Sequence, residues 1–266
     1  MSPNQITGFK VKKALLVVVL IFLVGALPAN AIRIKKNVPV ATNLLNFIQQ
    51  SKRTAVLILV TKEKQIAGTG FLTINNKKEI IVVTNKHVTL VGRPIFVRVN
   101  AKSKVIDYAA EVANQDPFLD LAVLTLRKTP SVQKWISTDL IIPANMYGGT
   151  ADIVEGKEVV FIGYPLGLGA QEKNYPVVRQ GLIAQVIPKR KTFLVDGFAS
   201  RGSSGSPVFE KTTGRLIGIV TSFEPDFIDS YEESAAGTKN LMTRIPINSG
   251  ISKIISVESI KTLISK

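Results

Sequence analysis

Arg201-Gly202-Ser203-Ser204-Gly205-Ser206-Pro207-Val208 is the stretch on which the reading of this chain turns. Its small residues form a tight loop that runs straight into apolar strand patterns, Pro207–Phe209 and then Leu216–Val220. Glycines at 202 and 205 let neighbouring backbone N–H groups converge on one point, which is what an oxyanion needs. A flexible Ser/Gly linker would rarely lead so directly into strand residues. A serine of this loop is therefore a candidate nucleophile.

A serine needs a base, and the chain offers one histidine, His87. Imidazole titrates near neutral pH, which suits it to general base work. His87 follows the apolar run Ile80–Thr84, so it stands where a strand ends and a loop opens. Chain order then separates the serine hydrolases. The α/β-hydrolase order places the histidine last and a glycine where Ser206 stands, so that class is excluded. The subtilisin order needs an aspartate ahead of the histidine, and none occurs before Asp107. The order His, Asp, Ser remains. Asp107, Asp116 and Asp120 are the aspartates near the histidine that could complete it.

Outward from the loop, short runs rich in Val, Ile, Leu and Phe dominate. Ala55–Thr61, Gly70–Ile74, Ile80–Thr84, Ile95–Val99, Leu121–Leu126, Glu158–Ile162, Gly181–Ile187, Thr192–Val195, Ser206–Phe209 and Arg215–Thr221 read as strands. Many short strands and few helices predict an all-β sandwich or barrel. The spacing of Leu44, Leu45, Phe47 and Ile48 predicts a short helix over 41–52, and the isoleucines of 250–266 predict a closing helix. A softer stretch, 128–156, carries Pro130, Pro143 and Gly148-Gly149 and reads as the connection between two halves. The acidic run Glu224–Glu233 reads as a solvated loop, or alternatively as a selector of basic residues in a partner.

Composition narrows the chemistry. With no cysteine and one histidine among 266 residues, neither a thiolate nucleophile nor a Cys/His zinc site can be assembled. No cofactor or metal is expected. Lys10, Lys12 and Lys13, the apolar run Ala14–Leu27 and the pattern Ala29-Asn30-Ala31 predict a signal peptide over 1–31, cleaved after Ala31. The product would be periplasmic or secreted; the alternative is an anchor formed by 14–27. Net charge is +15, and residues 32–106 supply most of it, with fourteen Lys/Arg against Glu63 and Glu79. This basic half could meet anionic envelope surfaces, or serve simply as a solvated face. Without interleaved aromatics it does not suggest nucleic acid.

The motifs Gly68-Thr69-Gly70-Phe71, Thr84-Asn85-Lys86-His87-Val88, Asp120-Leu121-Ala122-Val123-Leu124, Gly163-Tyr164-Pro165-Leu166-Gly167 and Arg201–Val208 resemble, in order, those of trypsin-like (chymotrypsin-fold) serine peptidases. The nearest likeness is to HtrA-type protease domains, here without a PDZ domain. The nucleophile loop is also similar to that of bacterial glutamyl endopeptidases. The resemblance implies two packed six-stranded β-barrels, divided here into 32–135 and 136–266, with the site between them. It implies His87 as base, Asp120 as its orienting acid, Ser204 as nucleophile, and the N–H groups of Gly202 and Ser204 as the oxyanion hole. By position it places Phe198 at the floor of the specificity pocket and Thr221, Ser222 and Phe223 along one wall, for a small or medium uncharged side chain. Ser203 stands where trypsin-type zymogen activation needs an aspartate, which argues against that switch. The glutamyl endopeptidases' second histidine has no counterpart. The implied function is an exported endopeptidase acting on protein or peptide substrates. Its rivals are a catalytically silent binding module and an anchored surface protein.

Overall fold

The computed structural model describes residues 40–101, 104–127, 135–170, 174–233 and 237–266. The expected signal or anchor segment lies outside them.

A helix, α1 (Val40–Thr54), leads into six strands: β1 (Ala55–Val60), β2 (Gln65–Ile74), β3 (Ile80–Thr84), β4 (Ile95–Ala101), β5 (Lys104–Gln115) and β6 (Ala122–Leu126). They pair in the order β1-β2-β3-β6-β5-β4, and β4 closes on β1 through Leu57↔Arg98 to Val60↔Ile95. Strand β4 shows why the barrel forms. Ile95, Val97, Val99 and Ala101 point inward and are buried, while Phe96, Arg98 and Asn100 between them are half-buried. That is the two-residue period of a pleated strand with one face in a core. The core holds Val56, Ile58, Leu72, Val82, Val97 and Leu124.

The second barrel comprises β7 (Glu158–Gly163), β8 (Val177–Ile187), β9 (Thr192–Asp196), β10 (Pro207–Glu210), β11 (Leu216–Glu233) and β12 (Lys239–Ser256). Its order is β10-β11-β12-β9-β8-β7, closed by β7 on β10. The two barrels share one apolar layer. Phe71, Val83 and Leu121 from the first meet Ile162, Phe209 and Ile219 from the second. Each such side chain, fully buried, contributes about 1.5–3 kcal/mol, which fixes the cleft between the barrels.

Between β6 and β7 the described residues form single-turn 3-10 segments at Thr138–Leu140, Ala144–Met146 and Thr150–Asp152, pinned by lone bridges from Ile142 to Thr73 and from Tyr147 to Leu216. Three expectations need correction. The closing helix α2 spans Val257–Ile264, not 250–266, because Ile251–Ile255 pair with β9 as strand. Ser256 caps it, its hydroxyl accepting from the Glu258 N–H. The acidic run is not a loop: Glu224–Glu233 is the outer half of β11, paired with 239–248 of β12. Strand β5, whose polar residues alternate only loosely with apolar ones, was not among the predicted strands.

Candidate active site

His87 and Asp120 come from opposite ends of neighbouring strands. β3 and β6 run antiparallel with Thr84 opposite Ala122, so the residues following one and preceding the other meet at the same barrel end. The geometry is tight. Asp120 Oδ2 lies 2.6 Å from His87 Nδ1, and Oδ1 accepts from the His87 backbone N–H at 2.8 Å. The Asn85 side-chain amide donates to the Asp120 carbonyl at 2.8 Å, fixing the backbone beneath the carboxylate. Thr221 adds a third bond to the carboxylate, its hydroxyl donating to Oδ2 at 2.7 Å. Burial alone would push the Asp120 carboxyl up; the hydrogen bonds from His87 and Thr221 outweigh it and hold the group below the usual carboxylate range.

The Ser204 loop is held from across the cleft by one buried residue, Thr69. Its N–H donates to the Ser204 carbonyl at 2.8 Å, and its hydroxyl donates to the Gly202 carbonyl at 2.7 Å. The same hydroxyl accepts from the Tyr164 N–H, and the Thr69 carbonyl accepts from the Thr84 hydroxyl at 2.7 Å. Gly202 and Gly205 take φ of +86° and +90°. A Cβ at Gly205 would lie 1.8 Å from the Thr69 carbonyl oxygen, so only glycine lets the two barrels approach here. The Arg201 carbonyl accepts from the Leu166 N–H. Among the described residues the N–H groups of Gly202 and Ser204 donate to no other atom, leaving two unengaged donors in the loop.

The Ser204 hydroxyl points elsewhere than expected. It donates to the Thr221 carbonyl at 3.3 Å, and it makes no hydrogen bond to His87. Beside it lies a cavity of about 590 Å³ bounded by Ala199, Ser200, Ser203, Val220, Ser222 and Phe223, with Pro225 and Pro246 at its outer edge.

The candidate residues divide accordingly. His87, Asp120, Ser204, Gly202, Ser222 and Phe223 gather at the cleft. Thr221 lies there too, but its hydroxyl serves Asp120. Phe198, expected at the pocket floor, is not on the cavity wall. It is half exposed, with the Arg179 guanidinium 5.4 Å from its ring centre. The carbonyl of Phe198 also accepts from Arg179, which draws this residue outward. Sequence reasoning assigned no role to Thr69, Asn85 or Pro246. Thr69 and Asn85 sit inside quoted motifs, and a polar residue within an apolar strand is the signal that could have marked Thr69.

Comparison with known proteins agrees with this architecture. A family model described as trypsin-like peptidase domain matches residues 68–219. The magnetosome formation protease MamE of Magnetospirillum gryphiswaldense is 29% identical over 173 residues, covering 61% of this chain and 19% of that protein. A probable periplasmic serine endoprotease DegP-like of Brucella suis is 28% identical over 169 residues, covering 61% of this chain and 29% of the relative. The chain thus spans less than a third of these relatives. Among solved structures, the MamO protease domain from Magnetospirillum magneticum superposes with a TM-score of 0.56 at 17% identity, covering 81% of this chain and 97% of that one. A serine endoprotease from Yersinia pestis superposes with a TM-score of 0.56 at 22% identity, covering 82% and 64%.

Proposed function

This chain belongs to the trypsin-like peptidase family, and on that premise we propose that it is an exported serine endopeptidase working through an acyl-enzyme. His87 removes the Ser204 proton as the oxygen attacks a peptide carbonyl, then protonates the leaving amine. Asp120 fixes the imidazole tautomer and stabilises the imidazolium. The N–H groups of Gly202 and Ser204 receive the oxyanion. The observation that carries this reading is the Asp120 carboxylate bonded at once to both His87 nitrogens (ring and backbone) and to Thr221, beside two free N–H donors. For attack, the Ser204 hydroxyl leaves the Thr221 carbonyl and turns to His87. Away from His87, Asp120 and Arg201, the cavity wall is formed by Ala199, Ser200, Ser203, Val220, Ser222 and Phe223, none of them charged, which suits a small or medium uncharged side chain before the cut. Export is supported by the basic and apolar run of 10–27 and by the periplasmic designation of the Brucella relative.

One observation favours a silent binding module instead: Ser204 bonded to Thr221 and not to His87. A fluorophosphonate probe decides between them. Wild type should label and Ser204→Ala should not; an unlabelled wild type would favour the module. Sequencing the N-terminus of the exported protein should find Ile32.

A further inference from the structure

The cleft has a second cavity that the reading above leaves unused. It measures about 560 Å³ and shares His87, Arg201 and Ser204 with the first, but its other walls include Ile66, Val91 and Leu166. These three large aliphatic side chains are exposed by 42%, 57% and 66%. Leu166 is held at φ 55°, ψ 18°, a left-handed conformation that costs a branched side chain of order 1–3 kcal/mol. The turn is clamped there, with the Leu166 N–H on the Arg201 carbonyl and Gly167 set against Ile66. So the chain strains its backbone to present a leucine that, by itself, buries little.

The two cavities meet at His87, Arg201 and Ser204 and have otherwise separate walls. A carbonyl oxygen on the N–H groups of Gly202 and Ser204, with its own side chain between Val220 and Phe223, leaves one direction for the departing amine. The amine takes its proton from His87, and the cavity that adjoins His87 without the walls of the first is the one lined by Ile66, Val91 and Leu166. Apart from His87 and Asp120, Arg201 is the one charged residue on the walls of either cavity, and it has no ionic partner among the described residues.

We propose that the protein reads the residue after the cut: Ile66, Val91 and Leu166 form an apolar subsite for a bulky aliphatic or aromatic side chain, and Arg201 at its rim rejects lysine and arginine. The inference rests on the serine-peptidase reading. Burying one such side chain discriminates by about 10-fold or more, and a guanidinium in the same cleft repels a second cation.

The test uses the acyl-enzyme formed from a peptide ester, offered water and an amino-acid amide together. The amine nitrogen attacks the acyl carbon, a C–N bond forms and the C–Oγ bond breaks. The amine proton passes through His87 to Ser204 Oγ, and nothing is oxidised. The ratio of aminolysis to hydrolysis is set after acylation, so it does not depend on how much enzyme is active. Leucinamide and phenylalaninamide should be captured about 10-fold better than serinamide, and lysinamide least. Leu166→Gly, which suits the positive φ, should keep its melting temperature while that preference shrinks several-fold. Arg201→Gln should raise lysinamide capture. Equal capture of all amides by wild type, or a preference unchanged in both Leu166→Gly and Ile66→Ser, overturns the inference alone. A wild type that neither hydrolyses the ester nor takes the fluorophosphonate overturns the peptidase reading and this inference with it.

Discussion

The two barrels share strand number and closure, yet they spend their strands differently. In the first barrel the strands run five to twelve residues and end where the barrel ends. In the second, β11 and β12 are eighteen residues each and continue past the barrel as a two-stranded ribbon. The ribbon leaves Phe227, Ile228, Tyr231, Leu241, Met242 and Ile245 exposed. Cross-strand contacts hold it instead of a core: Arg244 grips the Asp229 carboxylate at 2.8 and 2.9 Å and lies over the Phe227 ring at 5.3 Å. Such exposed pairs contribute little, because water screens them and ordering two long side chains costs entropy. His87 and Asp120 stand on the first barrel. The Ser204 loop and the cavity wall stand on the barrel that also carries the ribbon, and Pro225 and Pro246 of the ribbon line that cavity. Under the proposed function, this division puts the proton relay on the first barrel and the wall that faces the substrate on the second.

The largest effect expected from this division is at the relay. Asp120→Asn should lower kcat by about 10⁴-fold, since the imidazole loses its orienting anion. It also has a pH signature. A carboxyl held below its ordinary range in the folded state contributes stability above about pH 4, lost as pH falls through the folded value. Asp120→Asn should therefore remove that acid-side slope, which denaturant melts between pH 2 and 6 would reveal. An unchanged slope would mean the carboxylate is not held as described.

Next comes the contrast in packing. Leu124→Ala, inside the first barrel, should cost about 2–5 kcal/mol. Thr69→Val should cost less, about 1–3 kcal/mol, because Gly202 and Tyr164 each lose a buried partner. It should also slow turnover by loosening the nucleophile loop, and kcat measured on the folded fraction would separate the two effects. The smallest change is expected on the ribbon, where Ile245→Ser should stay within about 0.5 kcal/mol. Equal losses from Leu124→Ala and Ile245→Ser in urea melts would break the comparison and show the ribbon to be part of the cooperative fold.

Much of this was legible in the chain. Period-two burial in Ile95–Ala101 and the apolar run Ala55–Val60 announce strands with a buried face, because pleating sends alternate side chains to opposite sides. A single histidine ahead of the aspartates and the serine loop leaves one chain order for a triad. The ribbon was not legible. Its outer residues pair only with each other, so charges and apolar residues mix along it and a strand reads as an acidic loop. Residues 251–255 misled for a different reason: isoleucines at 251, 254 and 255 fit a helical repeat as well as a strand, and β9 decides by offering a partner.

By itself the sequence determined the all-β class, the order of the reactive residues and the choice of glycine where the loop takes positive φ. These depend on local backbone preference and on the identity of side chains, which the chain carries with it. Tertiary structure alone decided where the Thr221 hydroxyl goes, that Thr69 braces the nucleophile loop, that Phe198 leaves the pocket and that Ser204 rests on the Thr221 carbonyl. Each of these joins residues far apart in the chain. Their meeting is set by how two closed barrels share one apolar layer, and no local pattern encodes that distance.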